Sequence, residues 1–163
     1  MLEMIKSCAI CEPQTPSFVL YPATLNIHEL NEQKWSARKI PDGTHHQMHR
    51  CLGCGLIFSS PIVDLEKINV LYRDSAYTYK EEIENLKLTY GYYLQKISPL
   101  LSSKDCLLEI GCGSGFFLEK ALEMGFKKAY GIEPSLKAVD QALPDIKQNI
   151  YTGMFQDRLY PSK

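Results

Sequence analysis

Between Leu107 and Glu133 the chain reads LLEIGCGSGFFLEKALEMGFKKAYGIE, an order of residues that few folds accommodate. A short apolar run carries an acid near its end, Glu109, and three glycines follow at alternate positions, 111, 113 and 115. An amphipathic stretch comes next. Phe117, Leu118, Ala121, Leu122 and Met124 fall on one helical face and Glu119, Lys120 and Glu123 on the other, with Gly125 as a C-terminal stop. Ala129 to Glu133 is a second apolar run closed by a carboxylate. Strand, glycine turn, helix and strand in that order make a βαβ unit, and the fold class predicted is α/β. The first strand is expected over Asp105 to Ile110, buried because Cys106, Leu107, Leu108 and Ile110 are apolar. Beyond the second, Ser135 caps a short helix that Pro144 ends, and Asn149 to Thr152 forms a third strand.

The glycine turn limits what can bind. A dinucleotide fingerprint needs its third glycine at 116, where Phe116 stands, and no Gly-Lys-Ser/Thr follows, which excludes a phosphate loop of the Walker type. A diphosphate at a helix N-terminus would also be repelled by a carboxylate just before the turn. Glu109 suits a cationic ligand instead, directly or through water. Cys112 lies inside the turn, but no histidine is near it in sequence, so its side chain is read as small filler rather than a nucleophile.

Four of the six cysteines form two Cys-x-x-Cys pairs, Cys8 with Cys11 and Cys51 with Cys54. Two intervening residues let one tight turn aim both sulfurs at the same ion. The pairs together predict a closed, structural four-cysteine zinc site. His45, His46 and His49 precede the second pair and offer a mixed site as an alternative; otherwise they are solvent-facing loop residues. The 39 residues from 12 to 50 exceed the ~15–20 of a compact ribbon, so the insertion is expected to form a loop or hairpin of its own.

Between these regions Leu86, Tyr90, Tyr93, Leu94, Ile97 and Leu101 recur at helical spacing, and Pro99 with Ser102-Ser103 marks the end of that helix. A net charge of −1 implies no broad attraction to nucleic acid or anionic membrane. The apolar runs fall short of the ~18–20 residues a spanning helix needs, and the start lacks the layout of a signal peptide, so a cytoplasmic location is expected.

Glu109, Gly111, Gly113 and Gly115, with Gly131-Ile-Glu-Pro-Ser135 after them, resemble motif I and the following acidic strand of class I S-adenosylmethionine-dependent methyltransferases. The resemblance implies that Glu109, Gly111, Gly113 and Gly115, with Cys112 between them, border the methionine portion of the cofactor. It implies Glu133 at the ribose hydroxyls and Met154 and Phe155 near the adenine. The wider layout, CxxC, then RCLGCGLIFSSP, LYRDSAY, a helix and the glycine turn, resembles a bacterial subgroup with an N-terminal zinc-binding domain. Members of that subgroup modify sugars and other small metabolites. The long insertion between the cysteine pairs departs from the pattern.

The resulting expectation is a small zinc-ribbon-like domain over 1–61, a helical linker or lid over 62–104, and the first part of a Rossmann-like methyltransferase sheet over 105–163. Tyr72, Tyr77 and Tyr79 would cover the cofactor or pack a helix on the sheet. The class I fold has seven strands and these residues supply three, so the chain is expected to be the N-terminal portion of a longer enzyme, or to complete its sheet by self-association. No catalytic base is assigned. The expected cofactors are S-adenosylmethionine and Zn2+, and the expected acceptor is a small molecule such as a nucleotide-linked sugar. An RNA methyltransferase and a non-catalytic scaffold or regulatory module are the alternatives.

Overall fold

The computed structural model describes residues 3–26, 29, 43–75 and 80–156. The chain divides into two compact units, Met1–Leu71 and Tyr72–Lys163.

The first unit is built from short antiparallel strands. β1 (Glu3–Met4) pairs with β5 (Ile62–Val63). β2 (Ser17–Tyr21), β3 (Met48–Cys51) and β4 (Ile57–Ser59) form a three-stranded sheet in that order. The long insertion, 12–50, thus contains β2 and most of β3, which pair antiparallel. Ile62 and Val63, expected at the start of a helical segment, form a strand instead, and helix α1 begins at Leu65 and runs to Asp74. Asp64 starts that helix, its Oδ1 accepting the Glu66 N–H at 2.9 Å. Among the described residues the apolar core here is small: Val63 and Leu71 are buried, with Leu25 and Ile68 packed against them.

The second unit holds a parallel sheet. A 3-10 turn at Lys80–Glu82 leads into α2 (Ile83–Ile97), and a second at Ser98–Leu100, carrying Pro99, ends it. Then come β6 (Leu107–Ile110), α3 (Phe116–Glu123), β7 (Ala129–Glu133), α4 (Leu136–Val139), α5 (Pro144–Lys147) and β8 (Ile150–Thr152). The strand order is β6-β7-β8, all parallel, with Glu109 beside Gly131 and Glu133 beside Thr152. Because side chains alternate along a strand, Leu107, Glu109, Ala129, Gly131, Glu133 and Ile150 share one face. The core lies on that face: Leu94, Cys112, Leu118, Ala121, Phe126, Ala129 and Ile146 are buried together, with Leu107 and Ile150 against them. α2 joins α3 through Tyr90, whose ring meets Phe116 and Phe117, and through a Lys87–Glu119 ion pair at 2.6 Å.

Several local expectations need correction. β6 is not buried on both faces: Leu108 is 40% and Ile110 58% exposed, and Cys106 lies outside the strand. The described helices of the core cover only the other face of that strand. Pro144 does not end the helix after Ser135; that helix stops at Val139, and Pro144 opens the next one, where its missing N–H costs nothing. On α2 the packed face is narrower than the periodicity suggests. Gly91 and Leu94 are buried, the Lys120 stem lying over Gly91 where a side chain would stand, while Tyr93 and Ile97 are exposed. Tyr77 and Tyr79 lie outside the described residues, and Tyr72 is half exposed.

Candidate functional site

Glycine turn and helix are joined by backbone conformations that L side chains resist. Gly111, Gly113 and Gly115 have φ of 81°, 56° and 74°. The Gly111 and Cys112 N–H groups both donate to the Ile132 carbonyl, at 2.8 and 3.1 Å, so the turn stays pinned to β7 as it leaves β6. At Gly115 an added Cβ would meet Ile146 at 2.5 Å, and helix α3 starts from this closely packed point. At Gly111 it would meet nothing within 4 Å: the space beside this glycine is open.

Two carboxylates flank the turn. Glu133 is buried at the end of β7, and each oxygen accepts a backbone N–H at 2.8 Å, one from Gly113 and one from Ser135. Its own carbonyl accepts from Gly153, the residue before Met154. Glu109 is on the same sheet face, and its Oε2 is buried with no hydrogen-bond partner. Burial first, and the Glu133 charge second, push its carboxyl up to about 7. Burial, with Glu109 and Glu133 nearby, also pushes the Cys112 thiol up to about 12, which keeps it protonated and without nucleophilic character. Ser135 caps α4, accepting the Ala138 N–H at 3.3 Å, and its hydroxyl donates to the Ser75 carbonyl, so the chain after α1 is tied beside Glu133.

The structure therefore brings Glu109, Gly111, Cys112, Gly113, Gly115 and Glu133 into one turn between two strand ends. Met154 and Phe155 follow β8 as exposed residues, and the N–H of the preceding Gly153 donates to the Glu133 carbonyl. Sequence reasoning missed Gly131. An added Cβ there would collide with Cys112 Sγ and lie 2.9 Å from Leu118, so this glycine sets how closely the turn can press on the sheet. A glycine inside a strand was the available signal.

In the other unit the sulfurs of Cys8, Cys11, Cys51 and Cys54 all lie within 4.8 Å of one another. Cys8 and Cys54 are 3.6 Å apart, close to the ~3.8 Å edge of a tetrahedron with Zn–S bonds of ~2.3 Å. The second knuckle closes through the Gly55 N–H to the Cys51 carbonyl at 3.0 Å, with Gly55 at φ 78°. The backbone N–H of Cys54 holds the Cys51 thiol down at about 7, and the Cys54 side chain pushes Cys11 up to about 12. Four converging thiols can all ionise only around a cation, so this donor set fits a metal. His49 is not among the ligands. It lies in β3, stacks on Phe58 at 5.8 Å, and its ring nitrogens face Ser17 Oγ at 3.1 Å and the Gln47 amide at 2.8 Å. It is thus a packed strand residue, not a solvent-facing loop histidine.

Residues 83–163 match the family model described as a methyltransferase domain. No curated protein matches the chain. The methyltransferase-domain match begins at the first residue of α2 and takes in the glycine turn and both flanking carboxylates. Among the described residues no helix is long and apolar enough to cross a membrane.

Proposed function

We propose that the chain binds S-adenosylmethionine at the turn between β6 and β7 and takes part in methyl transfer to a small-molecule acceptor in the cytoplasm, a nucleotide-linked sugar being the acceptor class favoured. The observation that carries this reading is Glu133: a carboxylate fixed by two backbone N–H groups beside an open glycine turn, inside a stretch that matches a methyltransferase domain. When bound, the cofactor supplies a methyl group on a positively charged sulfur.

The protein's own residues do the rest by position. Glu133 would accept the ribose hydroxyls with the lone pairs its two N–H bonds leave free, and those bonds fix its orientation before the ligand arrives. Gly111 leaves room for the methionine portion, and Glu109 presents an unpartnered oxygen to its cation. Met154 and Phe155 would border the adenine. Cys8, Cys11, Cys51 and Cys54 would hold one zinc ion that cross-links the first unit.

β6 has no strand on its outer edge among the described residues, and Leu108 and Ile110 are exposed on its face away from the core. These features support a sheet that is extended beyond β6, by further strands or by a second copy.

The test is calorimetric titration of the zinc-loaded chain with S-adenosylhomocysteine, with NAD as control. Saturable binding of the first alone, lost in Glu133→Ala, is the expected result. A folded, zinc-containing chain that binds neither ligand and is a stable dimer would point to a scaffold instead.

A further inference from the structure

Helix α2 carries a row of side chains left at the surface among the described residues. Glu84, Leu88, Tyr92 and Lys96 follow one another four residues apart and so form a single ridge along the helix. Leu88 is 69% and Tyr92 52% exposed, large apolar surfaces that a lone helix gains nothing by showing to water. The Glu84 side chain is exposed, and its nearest cation, Lys87 at 3.7 Å, is held more closely by Glu119 at 2.6 Å. Lys96 lies over the Tyr92 ring, 4.8 Å from its centre, and pairs with no carboxylate among the described residues. A cavity of about 540 Å³ opens beside the ridge, and Leu88, Gly91, Tyr92 and Met124 are among the residues that line it. Its two lysines are already engaged: Lys104 Nζ donates to the Met124 carbonyl and Lys120 pairs with Glu123, each at 2.9 Å. The cavity therefore offers apolar walls rather than a seat for a free anion.

The ridge is its own complement. Turned end for end about position 90, it sets acid against base at each end and Leu88 against Tyr92 twice in the middle. That is the pattern of an isologous contact across a two-fold axis. Parallel copies would instead set Glu84 against Glu84 and Lys96 against Lys96. We propose that α2 is a self-association surface on which a second copy of this chain docks antiparallel. Glu84 of one copy pairs with Lys96 of the other, and the Leu88 and Tyr92 side chains close over the cavity. This surface is distinct from the β6 edge. Lys120 and Met124 stand at the far end of α3 from the glycine turn, so association there leaves the turn open. A helix of 15 residues spans about 22 Å, which makes the contact small and the association weak and concentration-dependent.

The test is sedimentation equilibrium of the zinc-loaded full chain across the micromolar range, where a monomer–dimer equilibrium is expected. Leu88→Asp should abolish it. Glu84→Lys and Lys96→Glu should each weaken self-association about tenfold or more, because each brings two like-charge pairs together across the axis. Mixed with one another, these two variants should associate as tightly as the native chain, since both ends then join acid to base again. The substituted positions are exposed, so circular dichroism should show a native fold in every variant. A native chain that stays monomeric throughout overturns the proposal and leaves this face to a partner of different sequence. A dimer that survives Leu88→Asp overturns it too, and places the association elsewhere, the β6 edge being the next surface to probe. So does a mixture that associates no more tightly than either charge variant alone, since the copies then do not meet antiparallel along this ridge.

Discussion

Glu109 and Glu133 lie on the same face of adjacent strands, yet Glu133 has both oxygens filled by N–H donors while Glu109 keeps a buried oxygen with no partner. One carboxylate is built into the turn and the other is left waiting. On the proposed reading the first would orient a ligand, and the second holds a buried carboxyl oxygen beside a fixed like charge.

That difference has a consequence for stability without ligand. The Glu109 carboxyl moves from its ordinary 4.5 to about 7 on folding, so between those values the folded protein holds a proton that the unfolded chain has released. Stability is thus favoured below pH 4.5 and lost as pH rises to about 7 through this group. Glu109→Gln, which cannot ionise, should match the native chain near pH 4 and exceed it at pH 8 by about 2 kcal/mol, allowing for partial solvent access. Urea unfolding of both proteins at the two pH values measures this, and an equal difference at both would show that ionisation is not the cause.

Glu133→Gln separates orientation from charge. The amide keeps one oxygen, so one of the Gly113 and Ser135 N–H groups then faces an NH2 group instead of an acceptor. We expect a loss of about 1–2 kcal/mol in stability. Hydrogen exchange at the affected amide should quicken about tenfold or more while the α2–α3 core is unchanged. Uniform quickening across the domain would argue against a local anchor.

Removing metal from the first unit should have a different signature. Among the described residues its apolar core is Val63 and Leu71 with two partly buried neighbours. With the four sulfurs holding zinc as proposed, chelation should release one zinc per chain and melt strands β2 to β4. Cys51→Ser should do the same, since this buried residue closes β3 and starts the second knuckle. Metal analysis with circular dichroism decides it; full retention of β structure after complete zinc loss would rule the dependence out.

Much of this was legible in the sequence because the signals are local. Two residues between paired cysteines, and three alternate glycines between acidic strand ends, are short-range geometry that a chain carries in its own order. What failed depends on neighbours distant in sequence. Leu108 and Ile110 are as apolar as a buried strand requires, but a strand's burial is decided by what lies on each face. Pro144 ends or opens a helix with equal chemistry, and only the chain's path selects which. His49 looked like a loop residue because its partners, Ser17 and Phe58, lie on neighbouring strands.

Gly131 offers the sharpest test of the turn's packing. On β7 it sits beside Glu109, and Cys112 and Leu118 press on the space where its side chain would be. An alanine Cβ would collide with Cys112 Sγ and come within 3.0 Å of Cys112 Cβ and 2.9 Å of Leu118 Cδ1. Gly131→Ala must therefore push the turn away from the sheet, costing about 1–3 kcal/mol as an overpacked core does. The same displacement carries Gly113 away from Glu133, so cofactor affinity should fall with stability. Cys112→Ala removes the sulfur and should restore part of both losses in the double variant, although alone it leaves a small void and destabilises. A double-mutant cycle measured by urea unfolding and by S-adenosylhomocysteine titration reads this coupling. Strictly additive losses would mean that Gly131 and Cys112 do not share one packed space, and that the turn is held by its backbone bonds alone.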